Sequence, residues 1–161
     1  MSESRVKYAL VACNKKNVEL MKILVEKCFP IHYSEEFYDK VAFLYNEFTR
    51  FLTVKDIVVG GISCRVETNE ETGEQFLHIM ILLVLDKYRR LGLAAAMMKE
   101  IESIAKKSDH NLQYISLHVQ KINEAAVNFY LSQGFENAGE FPNYYTDIEN
   151  PDAIFMRKSL K

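Results

Sequence analysis

A strongly apolar run at Phe76–Leu85, followed almost at once by a basic segment, constrains the fold of this chain more than any other feature. Apart from His78, every residue of the run is apolar. A strand with this composition has no face for solvent, so the run predicts a central strand of a sheet. The apolar residues that come next recur at helical spacing and predict a helix over residues 91–107. Its inward-facing residues are expected to be Leu93, Met97, Ile101, Ile104 and Ala105.

The junction between this strand and this helix has the composition of a site for a phosphorylated ligand. A helix start leaves backbone N–H groups without acceptors and carries the positive end of the helix dipole. Gly92 and Ala94 have little side-chain bulk, which leaves room for a diphosphate beside the backbone. Arg89 and Arg90 add positive charge. On composition alone, an ordinary basic turn before an alanine-rich helix explains the segment equally well.

The remaining pattern predicts a mixed α/β sheet. Further strands are predicted at residues 6–12, 51–54, 57–67, 114–120 and 153–158, and further helices at 17–28, 35–46 and 123–132. The strands at 51–54 and 57–67 are predicted to form a hairpin with its turn at Lys55 and Asp56. Asn17, Ser34 and Asn123 are predicted N-caps of those helices, and Gly134 is placed to end the last one. The helix at 35–46 carries its apolar residues at Phe37, Val41, Leu44 and Tyr45. Because only 3 prolines and 6 glycines are present, no linker is expected, and residues 1–161 are predicted to form a single domain.

The composition also argues against several classes of protein. A net charge of -2 gives no basic field for nucleic acid. The three cysteines, Cys13, Cys28 and Cys64, lack Cys-x-x-Cys spacing, which argues against a thiolate zinc site and a disulfide framework. No apolar stretch reaches the about 18 residues of a membrane span, and the polar residues 1–5 are unlike a secretory signal. We therefore expect a cytoplasmic or nuclear protein that binds no metal, membrane or nucleic acid directly.

Two segments resemble the signatures of one enzyme superfamily. Arg89–Ala94 is similar to the pyrophosphate-binding signature of GNAT N-acetyltransferases, and Asn123–Tyr130 followed by Gly134–Phe135 is similar to their second signature. The resemblance implies acetyl-CoA as cosubstrate and a single mixed central sheet of about seven strands flanked by about four helices. The residues expected to bind acetyl-CoA are Leu82, Leu83, Val84, Arg89, Arg90, Leu91, Gly92, Leu93, Ala94, Ala95, Asn123 and Tyr130.

Within that superfamily, nearly the whole chain resembles the catalytic subunits of NatE, also called San-type N-α-acetyltransferases. The similar segments are Phe29–Tyr33, Tyr88–Gly92, Leu117–Gln120 and Asn143–Tyr145. The resemblance implies acetylation of protein N termini, chiefly those with an initiator Met before an apolar residue, and raises the NatA complex and the ribosome as candidate partners. Residues expected to contact the peptide are Phe29, Pro30, Ile31, Tyr33, Met80, Tyr144 and Tyr145. Ordinary packing in the core or in loops is the alternative interpretation of these aromatic rings.

Two histidines are candidates for the catalytic base. Strand alternation places His118 on a polar face of its strand, and an imidazole can take the proton of an α-amine at neutral pH. The resemblance implies that His118 acts through a water; a structural histidine is the alternative. His78 stands where the family has a second catalytic residue, a Tyr. By alternation His78 shares a face with Met80. It either takes over the catalytic role of the Tyr or has lost that role, which would make His118 the only base.

These residues lead to one mechanism and two alternatives. The amine is expected to attack the thioester directly. Tyr130 is expected to protonate the leaving thiolate, and the backbone N–H near Leu83 to stabilise the oxyanion. The first alternative is an acetyltransferase for lysine side chains or small amines. The second is a non-catalytic subunit associated with NatA, which the departure at His78 keeps open.

Overall fold

The computed structural model describes residues 6–29 and 31–161, which form two compact units. The first unit comprises the described residues up to Arg65 together with Met80–Ser108. The second comprises Val66–Ile79 and Asp109–Lys161. That residues 1–161 act as a single domain remains a prediction.

Seven strands of the described chain form one mixed sheet, and the strand at the apolar run lies in its middle. The strands are β1 (Ala9–Ala12), β2 (Thr49–Val54), β3 (Ile57–Thr68), β4 (Gln75–Val84), β5 (Leu112–Gln120), β6 (Glu136–Phe141) and β7 (Ala153–Ser159), in the spatial order β1-β2-β3-β4-β5-β7-β6. Four α-helices accompany them, α1 (Val18–Cys28), α2 (Glu35–Phe43), α3 (Leu93–Lys107) and α4 (Glu124–Ser132). The predicted fold class, a mixed sheet of about seven strands with about four helices, is confirmed.

The first unit has a core built from helical and strand residues at the expected periodicity. Buried apolar side chains of α1, α2, β2 and β4 form this cluster together with a cysteine that precedes α1. Its members are Cys13, Met21, Leu24, Val25, Val41, Phe51, Ile81 and Leu83. The predicted turn between β2 and β3 is confirmed: Lys55 and Asp56 have φ of 51° and 64°. Positive φ at both central residues is what a two-residue hairpin needs to match the twist of its strands.

The second unit is organised around β5, whose apolar side faces the core. Ile115, Leu117 and Val119 are buried, as strand alternation predicts. β5 pairs in parallel with the first half of β4, from Gln75–Leu112 to His78–Ser116. It pairs antiparallel with β7 along its other edge.

Two of the predicted helix caps form, and the predicted C-terminal glycine takes the expected conformation. Ser34 Oγ accepts from the Phe37 N–H at 3.2 Å, and Asn123 Oδ1 accepts from the Ala126 N–H at 3.2 Å. Gly134, with φ of 93°, follows the end of α4.

Asn17 is the N-cap residue of α1, as predicted, but its Oδ1 accepts from the Asn14 N–H at 2.8 Å and not from a helix N–H, because the preceding turn folds back onto it. Two boundary predictions were wrong. The second helix ends at Phe43, and Leu44 is 68% exposed. The N–H groups of Leu44 and Tyr45 both donate to the Lys40 carbonyl, which closes the helix without any glycine or proline in the sequence. The first strand begins at Ala9, three residues later than predicted.

Candidate active site

The segment at residues 89–95, called here the phosphate loop, joins β4 to α3 within the first unit. After β4 ends at Val84, a 3₁₀ turn at Asp86–Tyr88 leads into the loop. Gly92 is the N-cap of α3, with φ of 76° and ψ of 12°, a left-handed conformation that glycine adopts without strain. No side chain caps this helix, so the N–H groups of its first turn face the loop without an intrahelical acceptor. The arrangement suits an anion, because the helix dipole adds positive potential there.

The two arginines of the phosphate loop differ in their contacts. Arg89 Nε donates to the Val84 carbonyl at 3.0 Å, and its guanidinium lies 3.0 Å from the Asp86 carboxylate. Arg89 therefore anchors the loop to the end of β4. Arg90 is exposed and has φ of 62°, a second left-handed residue in the same loop. Both side chains are exposed, that of Arg89 by 56%, so both add positive charge next to the helix start.

The other residues predicted to bind acetyl-CoA divide by exposure. Leu83, Val84 and Leu93 have buried side chains, so they can offer only backbone groups to a ligand. Leu91 is exposed, while Leu82, Ala94 and Ala95 are half-buried. In the second unit, Asn123 is exposed and caps α4. Tyr130 is half-buried on the same helix, with its ring 5.3 Å from Phe129 and 5.7 Å from Phe135.

The residues predicted to contact a peptide occur in both units. In the first, Phe29, Tyr33 and Met80 pack against the core cluster, and the Tyr33 hydroxyl donates a long hydrogen bond of 3.5 Å to the Met80 carbonyl. Ile31 is half-buried, and Pro30 lies outside the described residues. The structure thus brings Tyr33 and Met80 together, although they are far apart in sequence.

Four residues of the second unit, His78, Ser116, His118 and Tyr144, form what is called here the histidine cluster. His78 Nδ1 lies 2.9 Å from Ser116 Oγ. The rings of His78 and His118 have centroids 5.1 Å apart. Tyr144 stacks on His118 with centroids 4.1 Å apart and planes inclined by 14°. Both histidines singled out by sequence therefore share one cluster with one of the two tyrosines.

His118 lies in an aromatic and largely apolar setting. Phe141 and Phe155 approach its ring with centroids at 5.3 and 5.2 Å, in addition to Tyr144. Burial lowers the pKa of His118, because loss of water penalises the charged imidazolium. Its Nδ1 is buried without a hydrogen-bond partner among the described residues. A neutral imidazole in this setting is poised to accept a proton at neutral pH.

Sequence reasoning missed several members of this site. Ser116 is on the same face of β5 as His118, but its pairing with His78 could not be predicted, since the parallel register was unknown. Phe155 is the β7 partner of His118, and Phe141 lies on β6. Neither had a sequence signal beyond being aromatic. Tyr145 contacts Tyr144 edge-on at 5.0 Å and its N–H donates to the Pro151 carbonyl.

The described part of the chain contains three thiols and no cluster of metal-binding side chains. No group of three or more His, Cys, Asp or Glu residues within it could hold a metal ion. Burial raises the pKa of Cys13 to about 11 and also raises the pKa of Cys28 and Cys64. The three cysteines are free thiols. Among the described residues, no helix is long and apolar enough to cross a bilayer.

Comparison with known proteins gives consistent matches. A family described as "Acetyltransferase (GNAT) family" matches residues 18–135. N-alpha-acetyltransferase 50 of Danio rerio is 37% identical over 145 residues, covering 90% of this chain and 84% of that protein. The probable N-acetyltransferase san of Drosophila melanogaster is 37% identical over 90% of this chain and 77% of its own length. The structure of Arabidopsis thaliana Naa50 in complex with the bisubstrate analogue CoA-Ac-MVNAL superposes with a TM-score of 0.85 at 36% identity, covering 96% of this chain and 99% of that chain.

Proposed function

Because this chain belongs to the GNAT acetyltransferase family, we propose that it transfers the acetyl group of acetyl-CoA to the α-amine of polypeptide N termini. The relatives named N-α-acetyltransferases support the reaction, as does the likeness to a plant protein solved with a CoA–peptide bisubstrate analogue. The observation that carries the proposal in this chain is the histidine cluster, which provides a neutral base of lowered pKa beside a second imidazole.

We propose that acetyl-CoA is held at the phosphate loop. The left-handed Gly92, the uncapped start of α3 and the exposed Arg90 together fit a diphosphate. Acetyl-CoA supplies the activated thioester when it is bound. Arg89 keeps the loop in place through Val84 and Asp86, so its contribution to binding is mainly structural.

His118 is the proposed general base. It takes the proton of the α-amine through a water, with His78 sharing the task from 5.1 Å away. Tyr130 is proposed to return a proton to the departing sulfur, since a phenol with a pKa near 10 can donate to a thiolate. Tyr130 lies on α4, and Asn123 is the N-cap residue of that helix.

The proposed substrate is a polypeptide that begins with Met followed by an apolar residue. Support comes from apolar side chains, Phe29, Ile31 and Met80, which the first unit provides, and from Tyr144 and Tyr145 in the second. The bisubstrate analogue of the Arabidopsis protein begins with Met-Val, which is consistent with this class.

Acetylation of matched peptides tests the proposal directly. One peptide begins with Met-Leu, a second with Ser-Leu, and a third carries a blocked α-amine and an internal lysine. Mass spectrometry should find the acetyl group on the α-amine of the first peptide, with slower transfer to the second and least to the third. Faster transfer to the blocked peptide or to a free polyamine would move the assignment to a lysine or small-amine acetyltransferase.

Partners and location follow as further proposals. The NatA complex and the ribosome are proposed partners, because nascent N termini become available there. A cytoplasmic location, extending to the nucleus, is also proposed. Nascent N termini become available in the cytoplasm, and the three cysteines of the described chain are free thiols, as is usual in a reducing compartment.

A further inference from the structure

Ser116 is a buried hydroxyl at the centre of the histidine cluster. It is 0% exposed and lies on β5, two residues before His118. A hydroxyl removed from water without a partner destabilises a fold, so a buried serine in a strand is expected to be hydrogen-bonded. Its partner is Nδ1 of His78, at 2.9 Å.

The sheet itself holds this pair in place. His78 on β4 and Ser116 on β5 are direct register partners in the parallel ladder. His78 is only 8% exposed, so its ring has little freedom to turn away. The pair is therefore a fixed feature of the two strands and not a chance contact of mobile side chains.

The chemistry of imidazole indicates which atom donates. A base must have one nitrogen with a free lone pair, and the other nitrogen then carries the proton. A hydroxyl oxygen can accept from Nδ1–H both in the neutral ring and in the imidazolium. The reverse bond, in which the hydroxyl donates to Nδ1, would be lost whenever that nitrogen took up a proton. Only the first arrangement persists through a cycle of proton uptake and release.

The charged and titratable groups near this pair have contacts of their own. On β5, Tyr114 stacks on Phe76 at 4.8 Å. From β7, the Arg157 guanidinium lies over the Tyr114 ring at 5.4 Å and near Glu136. His118 and Tyr144, two further titratable groups of the cluster, stack on each other.

We infer that Ser116 is a positioning residue: its oxygen accepts a hydrogen bond from Nδ1–H of His78, which orients the ring and leaves Nε2 as its basic nitrogen. The inference rests on the proposed function, because it assigns His78 a share in deprotonating the amine. It also gives a physical reason why a histidine can act as a base at the position where the NatE-type enzymes that this chain resembles have a tyrosine.

Three variants separate this role from a purely structural one. Ser116→Ala removes the acceptor, and Ser116→Thr retains it. Ser63→Ala is the matched control, since Ser63 is also a fully buried strand serine, with its Oγ 2.8 Å from Thr49 Oγ1 in the first unit. Histidine ¹⁵N NMR of each purified protein reports the His78 tautomer, with His78→Gln used to assign the signal. Steady-state kinetics with the Met-Leu peptide show whether a change of the His78 tautomer lowers kcat/KM.

We expect the Nδ1–H tautomer in the wild type and in Ser116→Thr, and its loss in Ser116→Ala. In that variant kcat/KM should fall about tenfold, the effect expected from loss of one hydrogen bond, with an unchanged KM for acetyl-CoA. An Nε2–H tautomer in the wild type, an unchanged tautomer in Ser116→Ala, or an equal kinetic loss in Ser63→Ala would overturn the inference. The tautomer is read without turnover, so a protein that acetylates no peptide would refute the proposed function while the spectrum still decides the pairing.

Discussion

The phosphate loop is one contiguous stretch of chain, whereas the histidine cluster is assembled from β4, β5 and the loop after β6. The first acts mainly through backbone: a left-handed Gly92 and the free N–H groups at the start of α3. The second acts through side chains, whose meeting depends on strand pairing and on the stacking of Tyr144 over His118. A local motif can therefore be read from sequence, while a cluster of distant side chains has to be seen in the fold.

The two regions also differ in how a substitution should act. A backbone site tolerates changes of most side chains but not a change at its glycine, because that residue fixes the conformation. A side-chain site loses its chemistry when one residue is truncated, while cofactor binding persists. Kinetics should therefore separate the two, with KM for acetyl-CoA reporting the phosphate loop and kcat reporting the histidine cluster.

The largest effect is expected from His118→Ala. Removing a general base typically costs 10²–10⁴-fold, so kcat should fall by about that factor while KM for acetyl-CoA stays near the wild-type value. His110→Ala is the control, since His110 is an exposed histidine outside the cluster. Initial-rate kinetics with both substrates varied provide the measurement. A wild-type kcat in His118→Ala would remove His118 from the base role and leave the phosphate loop untouched.

Gly92→Ala should have the next largest effect, and the chain contains a matched control for it. Gly92 and Gly73 have the same φ of 76°, and a Cβ on Gly73 would meet nothing within 4 Å. Both substitutions should therefore incur similar backbone strain, about 1 kcal/mol. Only Gly92→Ala should also raise KM for acetyl-CoA, by about tenfold, since it obstructs close approach to the backbone. Equal KM values in the two variants would contradict the assignment of the phosphate loop.

A smaller effect concerns pH. Because burial lowers the pKa of His118, the base should stay neutral at pH values where an ordinary imidazole, near 6.5, is already charged. Tyr144→Ala exposes the ring and should raise that pKa, so the acid limb of the kcat/KM profile should move to higher pH. The pH at the midpoint of the acid limb is the quantity to compare, because it does not depend on the plateau value of kcat/KM. An unmoved midpoint would indicate that Tyr144 does not shield His118 from water.

The lowered pKa of His118 also determines how the free energy of unfolding changes with pH. Below pH 6.5 the unfolded chain takes up a proton at His118 more readily than the folded protein does. His118 should therefore lower the free energy of unfolding as the pH falls below about 6.5, and should cause no such loss of stability at higher pH. Urea titrations of wild type and His118→Phe at pH 7.5 and 5.5 should show a smaller pH dependence in the variant.

The smallest effect is expected from the thiols. Cys28 is the cysteine that is only partly buried, and burial raises its pKa, so little thiolate forms at neutral pH. Cys28→Ser should retain about the wild-type rate, and iodoacetamide should inactivate the enzyme slowly. Rapid inactivation that acetyl-CoA prevents, together with loss of activity in Cys28→Ser, would indicate an acetyl-cysteine intermediate and would contradict direct attack of the amine on the thioester.

The sequence predicted most of the fold because its signals were local. The apolar run marked the central strand, Lys55 and Asp56 marked a hairpin, and Ser34 and Asn123 marked helix starts. The end of α2 could not be predicted in the same way. It is set by two N–H groups that converge on the Lys40 carbonyl, with no helix-breaking residue nearby.

The candidate site was predictable to the extent that its residues stand in contiguous motifs. The phosphate loop and the two histidines were found from such motifs. The division of labour between Arg89 and Arg90 was not, since it depends on where the Val84 carbonyl points. Ser116, Phe141 and Phe155 were missed because a β register cannot be inferred from strand composition alone.

The ladder between β4 and β5 contains an irregularity with a consequence for how this chemistry tolerates change. Gln75 is opposite Leu112 but Leu77 is opposite Ile115, so β5 has one additional residue at this point. If the ladder continued regularly from Gln75–Leu112, His78 would lie opposite Ile115, whose side chain points to the other face of the sheet. Chain length at one position thus sets the phase between two strands. A one-residue slip of β5 that removed this offset would separate His78 from its serine without altering either residue, which makes the register as much a determinant of the site as the side chains themselves.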